Sequence, residues 1–172
     1  WQVAVNRYKQ ANKYNCSDWQ TAYFDNLYQY FAIAYERMSK YDSSEAICLD
    51  GLSIRPDDKN LRIRLAYAYK KQGKVDKEII EYERLTDTYP EDFSFLKKLS
   101  ELYKDNERYE EQIVVLERML KLKSQDEAIR GDLATAYKNS GKDPIDLYRE
   151  QWNENKENPS YGQQLAKALH DA

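Results

Sequence analysis

One stretch of ten residues occurs twice in this chain, as LAYAYKKQGK at residues 65–74 and as LATAYKNSGK at residues 133–142. The two copies are 68 residues apart, and weaker copies at half that interval read FAIAYERMSK from residue 31 and LSELYKDNER from residue 99. Because of this spacing, a tyrosine recurs every 34 residues, at Tyr35, Tyr69, Tyr103 and Tyr137. Self-similarity at a period of about 20–50 residues is typical of stacked repeats, so the period constrains the fold strongly.

Each unit of the period predicts two helices joined by a tight turn. In the second unit, apolar residues recur at spacings of three and four from Leu61 to Tyr69, as in an amphipathic helix. Gly73 follows, and a glycine at this point can adopt the left-handed conformation that ends a helix. Another helix is predicted from Val75, and it ends before Pro90 because the residue ahead of proline disfavours helical dihedrals.

The composition favours helices over strands. The 172-residue chain contains five Gly and four Pro, which are few for the many turns of a β protein. No apolar run is long enough for a transmembrane segment. A net charge of −3 does not favour nucleic acid, which binds clustered Lys and Arg. We therefore predict an all-α protein.

We expect residues 1–172 to form a single domain with irregular ends. The predicted parts are irregular helices over 1–24, repeats over 25–58, 59–92 and 93–126, a degenerate repeat over 127–158 and a capping helix over 160–172. Terminal units that differ from the middle ones are expected where a stack must cover its exposed faces.

Capping residues mark several predicted helix starts. Asp42 with Glu45 and Ser124 with Glu127 have the spacing of a capping box, in which side chains pair with amides of the first turn. Asp143-Pro144 combines a capping oxygen with a proline suited to the first helical position. These signals predict helices that start close to them.

The units resemble the tetratricopeptide repeat, a helix–turn–helix unit of 34 residues. Besides the tyrosine series, the resemblance rests on Phe31-Ala32, Leu65-Ala66, Leu99-Ser100, Leu133-Ala134, Gly73, Gly141, Pro56 and Pro90. It covers residues 25–142 well and implies a right-handed superhelical stack of antiparallel helix pairs, an α-solenoid. Arg62 and Arg130 stand where the family has a bulky residue, and we expect their stems to pack while their charged heads reach water.

The resemblance implies a concave groove lined by the first helix of each repeat. Transferred to this sequence, the predicted partner-binding residues are Gln29, Ile33, Arg37, Ile63, Tyr67, Lys70, Lys71, Lys97, Lys104 and Lys138. Ile33, Ile63 and Tyr67 would take an apolar or aromatic side chain, and the lysines would meet carboxylates of the partner. The alternative is that all ten are ordinary solvated residues of helix surfaces.

The function that this groove predicts is a protein–protein interaction scaffold that binds a peptide or helix of a partner protein. One alternative is a structural subunit that assembles with further copies into a homo-oligomer or filament. A weaker alternative is an RNA-binding helical repeat, which would need a more basic groove.

The sequence predicts neither an enzyme nor a cofactor site. The single histidine, His170, lies near the C-terminus, where an exposed surface residue is expected rather than a general base. No glycine-rich phosphate loop, nucleophile elbow or metal-spaced set of His and Cys occurs in the sequence. We therefore predict no catalytic residue and no metal ligand.

The cellular compartment stays open. Cys16 and Cys48 match neither a disulfide framework nor a metal-ligand spacing, so they do not identify a redox environment. The chain begins with Trp1 instead of Met, from which we expect an upstream segment to have been removed or to lie outside the sequence. The cytoplasm is slightly favoured, and export to a periplasm is the alternative.

Overall fold

The computed structural model describes residues 24–124, 126–154 and 156–171, and every regular element in these ranges is an α-helix. Their bounds are α1 Phe24–Arg37, α2 Tyr41–Ile54, α3 Lys59–Lys71, α4 Val75–Thr88, α5 Phe93–Asp105, α6 Tyr109–Leu122, α7 Glu127–Asn139, α8 Pro144–Glu154 and α9 Pro159–Asp171. The prediction of an all-α chain is confirmed. Apart from Phe24, the irregular helices predicted over 1–24 lie outside the described residues.

The chain forms two compact units, of which unit 1 ends at Phe95 and unit 2 begins at Leu96. In unit 1, α1, α2, α3 and α4 pack in sequence, and α1 also contacts α3. In unit 2, α6 packs against α7 and α8 packs against α9, whereas α7 and α8 approach each other less closely. The single domain over 1–172 stays a prediction. None of the described helices is long and apolar enough to cross a membrane.

The turn inside each helix pair has the same backbone geometry four times. An N–H group donates to the carbonyl of each tyrosine of the series at 2.9–3.0 Å, the donors being Lys40, Lys74, Arg108 and Lys142. The residue before each donor has a positive φ, namely Ser39 at 55°, Gly73 at 70°, Glu107 at 57° and Gly141 at 75°. This is the left-handed helix end that the sequence predicted at Gly73 and Gly141. Its use by serine and glutamate at the other two turns was not predicted.

The tyrosine series contributes to the core in three of the four repeats. Tyr35, Tyr69 and Tyr103 are buried, whereas Tyr137 is half-buried and donates its hydroxyl to Glu117 Oε1 at 3.2 Å. In unit 1, one cluster joins α1, α2 and α3, and it consists of Tyr28, Phe31, Ala32, Ala34, Tyr35, Cys48, Leu61, Leu65 and Tyr69. The apolar period of the sequence therefore corresponds to the buried side of these helices.

Two of the predicted helix caps are wrong. Asp42 lies inside α2, which begins at Tyr41 directly after the left-handed turn, so its side chain does not cap the helix. The cap of α7 is Asp126 instead of Ser124, and its carboxylate accepts from the amides of Ala128 and Ile129 at 3.1 and 3.3 Å.

Aspartates cap two other helix starts. Asp58 caps α3 by accepting from the amide of Leu61 at 3.0 Å, and it stands 68 residues before Asp126. The prediction at Asp143 is confirmed, since α8 begins at Pro144 and the Asp143 carboxylate accepts from the Ile145 amide at 2.9 Å. The 68-residue relation seen in the sequence thus extends to the caps of α3 and α7.

Candidate functional site

The predicted groove residues of unit 1 lie on two helices that contact each other, α1 and α3. We call these seven positions the α1/α3 face, namely Gln29, Ile33, Arg37, Ile63, Tyr67, Lys70 and Lys71, and their forming one binding surface stays a prediction. Gln29, Ile33 and Ile63 are half-buried, whereas the three cations and Tyr67 are exposed. The face therefore combines partly covered aliphatic side chains with exposed positive charge.

Tyr67 is the large apolar side chain that the α1/α3 face exposes, with 38% of its surface accessible. Its ring meets the ring of Tyr41 edge to face, with 6.3 Å between centroids and 72° between planes. The ammonium group of Lys71 lies 5.4 Å from the centroid of the Tyr67 ring. Both contacts hold an exposed aromatic ring in a defined orientation, which lowers the conformational entropy lost when a partner covers it.

A polar network lies between α1, α2 and α3 of unit 1. Arg64 Nη1 donates to Glu36 Oε2 at 3.1 Å, and Ser44 Oγ donates to Glu36 Oε1 at 3.5 Å. Burial raises the pKa of Glu36 and outweighs the opposing effect of the Arg64 charge. Burial also raises the pKa of the Cys48 thiol to about 12, so Cys48 is a packing residue without thiolate chemistry at neutral pH.

The other predicted groove residues belong to unit 2. Lys97 and Lys104 are exposed on α5, and Lys138 is exposed on α7. Lys138 also lines a cleft of about 600 Å³, whose walls are Glu127, Arg130, Gly131, Lys138, Asp143, Pro144, Tyr148, Gln164, Lys167 and Ala168. These residues come from α7, α8, α9 and the turn between α7 and α8. We call it the unit 2 cleft.

The two arginines that replace bulky family residues are buried, which contradicts the expectation that their heads reach water. Arg62 is 9% exposed and Arg130 is 4% exposed. Arg62 donates through Nη1 to Glu81 Oε2 at 2.9 Å and through Nη2 to the carbonyl of Pro56. The expectation failed because the guanidinium group finds internal acceptors, including a carbonyl six residues earlier in the chain.

Arg130 repeats part of this arrangement in unit 2. Its Nη2 donates to the carbonyl of Ser124, again six residues earlier. Its guanidinium carbon lies 4.4 Å from the centroid of the Tyr161 ring, within the range of a cation–π contact. Sequence reasoning did not place Arg130, Tyr148 or Lys167 in a site, although the arginine at a bulky position was an available signal.

A family model of the tetratricopeptide repeat matches residues 60–92, which contain nearly all of α3 and all of α4. The chain carries a tetratricopeptide repeat. This agrees with the resemblance seen in the 34-residue period. No curated protein matches the chain.

Solved structures with the tetratricopeptide repeat fold resemble most of this chain. A MamA structure designated AMB-1 is 19% identical over 80% of this chain and 76% of its own, with a TM-score of 0.58. MamA from Desulfovibrio magneticus RS-1 is 14% identical over 84% of this chain and 82% of its own, with a TM-score of 0.56. A tetratricopeptide repeat protein from Parabacteroides merdae is 16% identical over 87% of this chain and 59% of its own, with a TM-score of 0.59.

At these identities the likeness shows the fold alone. The tetratricopeptide repeat and its fold support a protein-interaction scaffold as the general role of the chain, and proteins of this fold are typically non-catalytic. The family and the fold do not identify the surface that binds a partner. The α1/α3 face and the unit 2 cleft are the two candidates.

Proposed function

We propose that this tetratricopeptide repeat protein binds a segment of a partner protein on the α1/α3 face. The observation that carries the proposal is Tyr67, an exposed ring that contacts the Tyr41 ring and the Lys71 ammonium group. Binding energy at protein interfaces is concentrated in a few residues, and tyrosine is prominent among them. A preoriented tyrosine is therefore a suitable anchor.

The surroundings of Tyr67 indicate the chemistry of the partner. Ile33 and Ile63 are half-buried and offer apolar surface, while Arg37, Lys70 and Lys71 are exposed and positive. An extended or helical segment with an aliphatic or aromatic side chain flanked by Asp or Glu would match both features. Lys97, Lys104 and Lys138 remain proposed contacts for further carboxylates of the partner, on α5 and α7.

The experiment compares two double variants in affinity capture followed by mass spectrometry. The test variant combines Tyr67→Ala with Lys97→Glu, which removes the anchor and reverses one proposed contact. The matched control combines Ile80→Ala on α4 with Lys121→Glu on α6, two exposed positions on the second helices of their repeats. Circular dichroism checks that both variants keep the wild-type helix content.

We expect the test variant to lose partners that the wild type and the control retain. Truncation of an interface anchor weakens binding by about 2 kcal/mol or more, roughly thirtyfold. We also expect capture to weaken at high salt, because exposed charges are screened. Recovery of the same partners in the same amounts by a folded test variant would remove the α1/α3 face from consideration.

A further inference from the structure

Arg62 and Arg130 occupy matching places in alternate repeats, 68 residues apart, but they differ in how their charge is neutralised. In unit 1, Arg62 forms a buried ion pair with Glu81 at 2.9 Å. The residue 68 positions after Glu81 is Arg149, which is exposed and pairs with Asp146 at 2.8 Å. The helix that follows Arg130 therefore carries a cation at the place where unit 1 has an acid.

Arg130 is buried, and no carboxylate of the described side chains lies within ion-pair distance of it. Among the described residues its guanidinium group forms no ion pair within 4.0 Å, and its side-chain hydrogen bonding there is confined to the Nη2 contact with the carbonyl of Ser124. A guanidinium group has five N–H donors, and a buried charge is normally paired. The Tyr161 ring offers its face to the cation but cannot accept these N–H groups as a carboxylate does.

The unit 2 cleft provides space for a carboxylate next to Arg130, as Glu81 provides one next to Arg62. Arg130 lines it together with Lys138 and Lys167, so three cations surround a volume of about 600 Å³. This volume is within the range of about 300–1,000 Å³ found for small-ligand sites. The cleft exists because α8 does not pack onto α7 as closely as α4 packs onto α3.

Gly131 keeps one wall of the cleft open. A Cβ atom built at this residue would meet nothing within 4 Å, so no internal contact requires a glycine there. Glycine inside a helix lowers its stability, and a close approach of another group to the backbone is one reason for such a residue. Gly131 directly follows Arg130, so an occupant of the cleft would pass this backbone as it reached the guanidinium group.

We propose that the unit 2 cleft binds a ligand through a carboxylate group that pairs with Arg130, in the role that Glu81 has for Arg62. Lys138 and Lys167 add positive charge, whereas Glu127 and Asp143 on the same walls disfavour a polyanion. The carboxylate can belong to an acidic residue of a polypeptide or to a small free acid. The unit 2 cleft shares no residue with the α1/α3 face. Among the predicted groove residues, only Lys138 lines the cleft.

Calorimetric titration of the full chain with three probes tests the proposal. Glutarate represents a free acid, the peptide acetyl-Ala-Glu-Ala-amide represents an acidic residue of a polypeptide, and acetyl-Ala-Gln-Ala-amide is its neutral isostere. We expect at least one acidic probe to bind and the neutral peptide not to bind. Tighter binding of the peptide identifies a polypeptide source, and tighter binding of glutarate identifies a small acid.

Four variants locate the site. Arg130→Gln removes the central charge, and Gly131→Leu fills the cleft. The double variant Lys138→Glu with Lys167→Glu reverses the charge of the two exposed lysines that line it. We expect each to weaken binding at least about tenfold. Lys121→Glu, an exposed lysine of α6 outside the cleft, is the matched control and should bind as the wild type does.

Folding and function are separated by the choice of variants. If Arg130→Gln alters the circular dichroism spectrum, the test rests on Gly131→Leu and on the double variant of Lys138 and Lys167. The space around Gly131 is open, and both lysines are exposed, so these changes should not disturb the fold. Tyr67→Ala should leave probe binding unchanged, so loss of partner capture and loss of probe binding are distinguishable. Absence of binding by both acidic probes, or equal binding by wild type and the folded cleft variants, would overturn the proposal.

Discussion

Gly51 and Gly131 are both inside helices, but opposite surroundings give the same substitution opposite effects. A Cβ atom at Gly51 of α2 would lie 2.5 Å from Leu61 Cδ1 and 3.0 Å from Tyr28 Cβ, whereas one at Gly131 of α7 would meet nothing within 4 Å. Gly51→Ala should lower the free energy of unfolding by about 1–3 kcal/mol through overpacking. Gly131→Ala should raise it by about 0.5–1 kcal/mol through better helix propensity. Urea unfolding measures both, and equal signs would contradict this account.

Ser39 and Glu107 adopt the left-handed conformation that two other repeats assign to glycine. Their φ angles of 55° and 57° carry a steric penalty that glycine avoids, because glycine has no Cβ. Ser39→Gly and Glu107→Gly should each raise the free energy of unfolding by about 0.5–1 kcal/mol. Gly73→Ala, at a φ of 70°, should lower it by about 1 kcal/mol and serves as the reverse control. A destabilised Ser39→Gly variant would show that other contacts of Ser39 outweigh the relief of its left-handed backbone strain.

Between elements, the buried ion pair of Arg62 and Glu81 joins α3 to α4. Glu81→Ala should lower the free energy of unfolding by about 3–5 kcal/mol, because it leaves a buried guanidinium group without its acid. The combined Arg62→Met and Glu81→Leu variant should be close to the wild type, since both charges are removed together. Denaturant unfolding of the wild type, of Glu81→Ala and of the double variant measures the three free energies of unfolding to be compared.

An exposed ion pair is the control for this prediction. Lys142 and Glu110 are 3.6 Å apart, and both side chains are more than half exposed. Glu110→Ala should change the free energy of unfolding by less than about 1 kcal/mol. If Glu81→Ala were as mild as Glu110→Ala, the buried pair would not stabilise the contact between α3 and α4.

Lys59 at the start of α3 forms an ion pair with Asp92, the residue before α5. This ion pair predicts that the stability of the fold depends on pH. Lys59 Nζ lies 2.8 Å from Asp92 Oδ2 and lies over the rings of Tyr89 and Phe95 at 5.0 and 4.7 Å. The hydrogen bond from Lys59 lowers the pKa of Asp92 below its usual value of 3.8, and Ser94 adds to the effect.

The direction of the pH dependence follows from linkage, since an acid with a lowered pKa in the folded state stabilises the fold when it is ionised. The contribution of Asp92 is present above pH 3.8 and is lost as the pH falls through the lowered pKa. Asp92→Asn should therefore lower the free energy of unfolding by about 0.2–1 kcal/mol at neutral pH, while its side-chain oxygen can still accept from the Ser94 N–H group. The difference from the wild type should shrink at acid pH in urea titrations, and a constant difference would contradict this origin.

At the scale of the whole molecule, the two compact units each carry one candidate binding surface, the α1/α3 face in unit 1 and the unit 2 cleft. If the α1/α3 face serves a different protein, multi-angle light scattering should give the mass of one chain over a wide range of concentration. A mass that rises with concentration in the wild type, and that Tyr67→Ala reduces to one chain, would favour the self-assembling alternative.

The sequence by itself determined the repeat, because the signals of a repeat are local. Apolar residues at spacings of three and four, a glycine after the last helical turn and a proline at the end of the pair act within a few residues of one another. These signals predicted all-α structure, the turns at Gly73 and Gly141 and the helix start at Pro144. The positions of the proposed groove came from the resemblance to the tetratricopeptide repeat, and their role in binding stays a prediction.

Only the tertiary structure decided the environment of the side chains, because it depends on groups far apart in the chain. Arg62 is buried because Glu81 comes from the next helix, and Arg130 is buried beside Tyr161 two helices later. Ser39 and Glu107 accept a left-handed conformation because the helices on both sides of each turn are held by their own packing. The unit 2 cleft arises where α8 separates from α7, and no local pattern encodes that separation, because it reflects how well two helix surfaces match.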